Sequence, residues 1–445
     1  MCALLSRETR SLGNGPSYHP KDPALAELWG GGVNSTSGQN VTATTAMRVS
    51  AVFACVTIHA QTMAMLPKYV KGLREDGGKD ILFNHREYTQ LHDRPNRWQS
   101  TFEFFEYMSG CRWTRGNAYA LVQYYPGRQM NEYFPLDPDR VWPYVITPSG
   151  VIYFMYDNSP PPPPGSSLWY QYFPLNAEMM LIPASDMIHV RGYAPNGIVG
   201  MSPITRAARE SIGLAMATEE HGGRLFSNGA LPSIAVEYPG NMSDQTFQQM
   251  KTAFYEQQVG NRNSNKPFFA EAGMKIVPLS LTAEQSQFLE TRKLQIEEIA
   301  RIFNMPLIMI GAGDKAATYA SAEQFFLSFK TQTVQPEVVR FEQAFQRTLL
   351  NPNEVGKVVF EWDMDSMMRG DAVARATYLQ KRFQTSSITP DGIMIYENEN
   401  PSGTEAGKAL YIMSNMIRLQ DAAKQFEKMN APVAPIEQKV KEVTV

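Results

Sequence analysis

SPITRAARESIGLAMATEEHGGRLFS, residues 202–227, decides how this chain is built. Ser202 is a good helix N-cap, and Pro203 falls at the first helical position, where its fixed φ suits a helix and its missing N–H is not needed. At 1.5 Å per residue, the ~25 residues of this helix span roughly 37 Å. Its core-side residues are small: Ala207, Ala208, Gly213, Ala215, Ala217, Gly222 and Gly223. Small residues let another helix come close, either within the chain or from a second copy.

Ahead of this helix the pattern is strand-rich. Residues 119–124, 141–146, 151–156 and 168–173 are aromatic or β-branched and are separated by Gly and Pro turns. Residues 160–164, between the last two, are five consecutive prolines, a stiff polyproline II spacer that reads as a rigid hairpin tip. An SH3-like docking site is the sharper alternative. Further upstream, residues 101–115 predict a helix with Thr101 as N-cap and Phe104, Phe105, Met108 and Trp113 on its apolar side. Residues 49–67 hold no Asp, Glu, Lys or Arg and approach the ~20 residues of a membrane span. Ser50, Thr57, His59, Gln61 and Thr62 interrupt that run, so a helix over about 46–66 buried in protein is expected, followed by a strand at 68–71. Residues 1–45, rich in Gly, Ser, Thr and Asn, read as a flexible or partner-ordered arm.

Behind the decisive helix, residues 231–281 form a small unit. A strand is expected at 233–238, a helix from Ser243 to about 259, and strands at 268–270 and 275–278. A second long helix follows at 283–303, with Leu289, Ile296, Ile299 and Phe303 on one side and Glu290, Arg292, Lys293, Glu297, Glu298 and Arg301 on a solvated or subunit-facing surface. A third runs from 321 to about 350, with Pro336 expected to kink or interrupt it. A strand at 357–362 and short helices with a polar tail complete an α+β chain.

Composition narrows the function. The 445 residues are 43% hydrophobic and 19% charged, so a sizeable core forms and wholesale disorder is excluded. Forty-one Lys and Arg against 44 Asp and Glu leave a net charge of −3, which excludes a basic protein that coats nucleic acid by counterion release. Cys2, Cys55 and Cys111 lie too far apart for a disulfide framework or a cysteine-rich zinc site, as suits a reducing compartment. The first ten residues, MCALLSRETR, have no signal-peptide apolar region.

The sharpest enzymatic signal is Gly311-Ala312-Gly313-Asp314-Lys315-Ala316, which fits the dinucleotide fingerprint G-x-G-x-x-A. That fingerprint needs a preceding parallel strand and an acid about 20 positions on. Position 331 is Thr, and the nearest acid, Glu337, falls inside a helix. A loop between two helices is the better reading, and no cofactor is expected. Glu361, Asp363 and Asp365 alternate at a strand end but lack a fourth ligand, and the six histidines show no zinc spacing, so no metal is expected. There is neither a GxSxG elbow nor a GxxxxGK[ST] loop. The chain does not read as an enzyme.

Five ordered stretches resemble the portal proteins of tailed bacteriophages, the ring at the capsid vertex through which DNA enters and leaves the head. They are SAVFACVTIHAQTMAMLPKYV at 50–70, LHDRPN at 91–96 with RGNAYALV at 115–122, YFPLDPDRV at 133–141, DMIHVRGYAPNGIVGMSPI at 186–204, and IARIFNMPLIMIG at 299–311. The proline run and the N-terminal arm depart from that pattern, and residues beyond 370 match loosely.

The resemblance implies a β-rich wing over 46–200, stem helices at 201–230 and 282–304, and a clip at 231–281. A tunnel loop at 305–320, a kinked wing helix with a return strand at 321–370, and a C-terminal crown and tail at 371–445 complete it. It implies self-assembly into a ring of about twelve subunits, with double-stranded DNA in transit and no membrane. Implied partners are the terminase large subunit, a major capsid or scaffold protein, and a head-tail connector. Gly311, Gly313, Asp314, Lys315 and Thr318 would face the channel, and Ala207, Ala208, Gly213, Ala215, Glu290, Arg292 and Lys293 would pack subunits in the stem. Asp244, Lys251, Glu256 and Arg262 would meet the motor and connector. Lys315, the only basic residue at the loop tip, is expected to make a weak, easily screened phosphate contact.

Overall fold

A computed structural model describes residues 33–125, 130–227, 234–237, 275–278, 282–312, 319–370, 372–397 and 399–411, with positions 244, 245, 248, 249 and 252 between. It divides into two units, one ending at Met364 and one beginning at Asp365.

The first unit opens with a hairpin, β1 (Val33–Asn34) and β2 (Asn40–Val41), and a short helix, α1 (Ala43–Ala46), capped by Thr42. The end of the expected flexible arm is therefore structured. The uncharged run forms α2 (Ser50–Met65), buried on Val52, Cys55, Val56, His59, Ala60 and Met63. No helix among the described residues is long and apolar enough to cross a membrane. β3 (Lys68–Leu73) and β4 (Lys79–Ile81) lead through α3 (Tyr88–His92) to α4 (Thr101–Arg115). The N-cap of α4 is Ser100 rather than Thr101. Ser100 and Glu103 close a reciprocal capping box, whereas Thr101 already lies inside the helix.

Three sheets of three or four strands follow, and every strand pair among the described residues is antiparallel. β5 (Asn117–Tyr125) lies between β6 (Met130–Leu136) and β11 (Met187–Arg191), with Tyr119 opposite both Leu136 and His189. The second sheet runs β10 (Met180–Pro183), β9 (Ser167–Tyr172), β7 (Val141–Ile146), β8 (Ile152–Phe154). Tyr119, Leu136, Val141, Tyr170, Ile182 and Met187 form the core between these two sheets.

The proline run is not a hairpin tip. β8 and β9 flank β7 on opposite sides and run in the same direction, so the chain must cross over between them. Five residues of polyproline II reach about 15 Å without needing hydrogen-bond partners, which suits an exposed crossover.

After β11, a π-helical turn (Pro203–Ala207) starts α5 (Arg209–Ser227). β12 (Ile234–Glu237) pairs with β13 (Lys275–Pro278), and α6 (Thr282–Ile302) follows. The helix expected after Ser243 lies largely outside the described residues. Leu307–Ile310 is a 3-10 turn, and α7 (Tyr319–Ser328) leads into a π-helical segment (Phe329–Val334) and then α8 (Gln335–Leu349). Pro336 thus sits in the first turn of α8, where the missing N–H is tolerated best. The Gln332 carbonyl, four residues earlier, instead accepts from Asn304 Nδ2 at 3.3 Å. β14 (Val358–Trp362) returns to β3, completing the third sheet with Trp362 opposite Lys68.

The second unit contains α9 (Ala372–Gln384), α10 (Pro390–Tyr396) and α11 (Glu405–Lys408). Buried Asp391 accepts from the Ser402 N–H at 2.9 Å and the Ser402 hydroxyl at 2.6 Å, tying α10 to the turn before α11.

Candidate functional site: the paired helices and the junction at their ends

α5 and α6 are antiparallel neighbours. Ser211 Oγ donates to Glu298 Oε2 at 3.0 Å near the start of α5, while Glu219 further along meets Arg292 at 4.0 Å. The β1–β2 hairpin lies along α5: the Thr36 N–H donates to Glu210 Oε2 at 2.9 Å, and Gln39 Nε2 to Glu220 Oε2 at 2.8 Å. This placement explains Gly213, because a Cβ there would fall 2.2 Å from Ser35 Oγ. Ala208 is likewise buried within the chain. For these two the small side chain serves intrachain packing. Ala207, Glu290, Arg292 and Lys293 are exposed and Ala215 is half-buried, so these line the outer surface of the pair.

The crossing that starts α5 is made of backbone. Gly116 ends α4 at φ 79°, a left-handed conformation that favours glycine, and a Cβ on it would lie 2.4 Å from the Met201 carbonyl. A Cβ on Gly200 would lie 2.1 Å from the Gly116 carbonyl. Asn117 clamps the crossing, accepting from the Gly200 N–H and donating to the Gly200 carbonyl, each at 2.7 Å. Ser202 accepts from the Thr205 N–H as N-cap and donates to the Thr114 carbonyl at 2.8 Å.

At the far end of α6 the chain is held by a buried aromatic and ionic cluster. His59 Nε2 lies 2.8 Å from the Phe303 carbonyl; a carbonyl only accepts, so the imidazole carries its proton there. Burial pushes His59 down to about 3, keeping it neutral. Its ring stacks on Trp113 with centroids 3.9 Å apart, and the Arg112 guanidinium also lies over the Trp113 ring, 3.9 Å from its centroid. Arg112 pairs with Glu337 of α8 at 3.0 Å, both buried. Burial pushes the Glu337 carboxyl up, opposed by Arg112. Asn304, at φ 51°, completes the junction: its carbonyl accepts from Thr333 Oγ1 at 2.8 Å while its amide holds Gln332. Sequence reading singled out none of Arg112, Trp113 and Glu337 for this role. The absence of charge around His59 was the one available signal.

Of the expected channel residues, Gly311 is exposed at φ 73° and ends the 3-10 turn; Gly313, Asp314, Lys315 and Thr318 lie outside the described residues. Asp244 is exposed, and Lys251, Glu256 and Arg262 lie outside the described residues. Glu361 is held by Lys71 at 2.7 Å and Lys79 at 2.6 Å, which accounts for it without a cation. A cavity of about 430 Å³ lies between α1 and the sheets, with Tyr119, Trp142, Phe154 and Thr205 in its wall. Its Arg115 and Asp139 pair with each other at 2.8 Å, and its Asp157 pairs with Arg206 at 2.8 Å. None of the expected site residues lines it.

The described residues thus form a mixed helix-and-sheet subunit that carries an antiparallel helix pair. The sequence matches the phage portal protein family over residues 50–398, and the chain belongs to that family. It is 27% identical over 406 residues to the probable portal protein of Streptomyces phage phiC31, covering 90% of this chain and 84% of the relative. It is also 27% identical over 358 residues to the portal protein of Enterobacteria phage HK97, covering 80% of each. Its fold is similar, with a TM-score of 0.52 and 22% identity, to a chain in the neck of a native gene transfer agent particle computed with C12 symmetry; the likeness covers 85% of this chain and 98% of that one. Portal proteins are structural and non-enzymatic.

Proposed function

We propose that this chain assembles into a ring of about twelve copies at the unique vertex of a phage capsid, as the channel for double-stranded DNA in packaging and ejection. The family match across residues 50–398 carries the reading. The α5–α6 pair supports it as the stem, with Ala207, Ala215, Glu290, Arg292 and Lys293 on its outer surface. The stretch 305–320 would be the tunnel loop, with Lys315 as a weak phosphate contact. K315A particles that package and retain DNA at the wild-type rate would remove that role. Residues 231–281 would be the clip that meets the terminase large subunit and the connector, with the wing against the capsid or scaffold protein. A net charge of −3 suits a channel that must let DNA slide rather than hold it.

The dinucleotide-enzyme alternative loses its structural context. Leu307–Ile310 is a 3-10 turn behind a helix, and no described strand pair is parallel. Negative-stain electron microscopy with light scattering tests the ring: closed rings with a central hole of at least ~20 Å are expected, wide enough for a duplex. A homogeneous monomer together with saturable micromolar dinucleotide binding would overturn it.

A further inference from the structure

Helix α7 follows the proposed tunnel loop and carries Phe325, Phe326 and Leu327 in succession, exposed by 46%, 36% and 52%. Neighbouring residues in an α-helix are about 100° apart, so these three side chains cover an arc of roughly 200°. A helix docked on its own fold, or on a single partner, buries one stripe and turns a polar face to water. Here large apolar groups occupy two opposed flanks, and Glu323 is the only Asp, Glu, Lys, Arg or His of Tyr319–Ser328.

We infer that α7 is a seam between copies of this chain: Phe325 meets the copy on one side, Leu327 the copy on the other, and Phe326 fills the space between. A closed ring of identical subunits presents two different flanks of each copy to its two neighbours. That arrangement calls for apolar side chains on opposite sides of one helix, whereas a single foreign protein would cover one side. The inference rests on the ring reading and extends its stem interface, since α6 leaves Leu294 57% exposed and connects to α7 through the loop.

The test uses the full chain. F325Q/L327Q is expected to reduce ring yield at least tenfold by light scattering and negative stain. The circular dichroism and melting of its monomer should match wild-type monomer, because neither side chain is buried within one chain. In a second arm, F325C/L327C in a Cys2→Ser background is treated with a short bismaleimide. Cys55 and Cys111 are buried. A denaturing gel should show a ladder reaching the full ring, with either single cysteine variant stopping at dimers. Rings at wild-type yield from F325Q/L327Q, or a double-cysteine ladder no longer than the singles give, would overturn the seam while leaving the ring reading intact. Wild-type protein that stays a homogeneous monomer and binds a dinucleotide saturably at micromolar concentration would overturn both.

Discussion

Single residues set the stability of the junction behind the helix pair. Arg112 and Glu337 are buried together, and neither charge has water to replace its partner. Glu337→Gln strands the guanidinium and should cost about 3–5 kcal/mol in urea unfolding, whereas Arg112→Met with Glu337→Leu should recover most of that loss. A double variant no better than E337Q would mean the pair does more than neutralise itself. Lys68 poses the opposite problem. Its amine lies 4.5 Å from the Phe105 ring centroid and donates to the Ala64 carbonyl, and burial pushes it down to about 7. An unfolded lysine keeps its proton to about pH 10.4. Between these values the unfolded state binds more protons, so Lys68 makes stability rise with pH, by at most about 1.4 kcal/mol per unit. Lys68→Met should flatten that rise and raise stability at pH 7, read as urea midpoints at pH 7 and 9. Parallel wild-type and K68M profiles would exclude Lys68 as the titrating group.

At the scale of elements, the kink expected at Pro336 is resolved by a neighbour. The helix takes up the irregularity as a π-helical segment before the proline, and Asn304 supplies the donor that Pro336 lacks. Asn304→Ala removes that donor and places alanine at φ 51°, so a loss of about 1–3 kcal/mol is expected in thermal or urea unfolding. A change under about 0.5 kcal/mol would show that the Gln332 carbonyl does not need Asn304. Helix 101–115 was legible because Phe104, Phe105 and Met108 recur at helical spacing and all are buried. β6 and β10 were not, although both strands pair, with Pro135 opposite Ala120 and Pro183 opposite Trp169. The crossover role of the prolines was equally hidden, because composition gives their stiffness but not which strands they join. The Arg112–Glu337 pair joins helices far apart in sequence, a contact no local pattern encodes.

For the whole molecule, the five stretches that carry the family resemblance touch one another. Residues 50–70 meet 299–311 through His59 and Phe303. Residues 91–96 meet 133–141 through Asn96 Nδ2 and the Tyr133 carbonyl at 2.8 Å, and 115–122 meet 186–204 through Asn117 and Gly200. The resemblance therefore marks the scaffold's joints, whereas the expected loop and clip lie largely outside the described residues. Charge acts at the same scale. With a net charge of −3, purified rings should show no saturable binding of a short DNA duplex below about 10 µM at 0.15 M salt, measured by fluorescence anisotropy. Tight, salt-dependent binding would require a concentrated basic channel. One joint also fixes how force travels. Where Gly116 and Gly200 meet, main chain bears on main chain, and the cap of α5 is tied to the last turn of α4. No rotamer can yield there, so the joint has almost no mechanical compliance, and α5 turns as one lever with α4 and β5. Displacement of the helix pair must then be absorbed at the same end but in the other helix, where α6 runs out near Asn304.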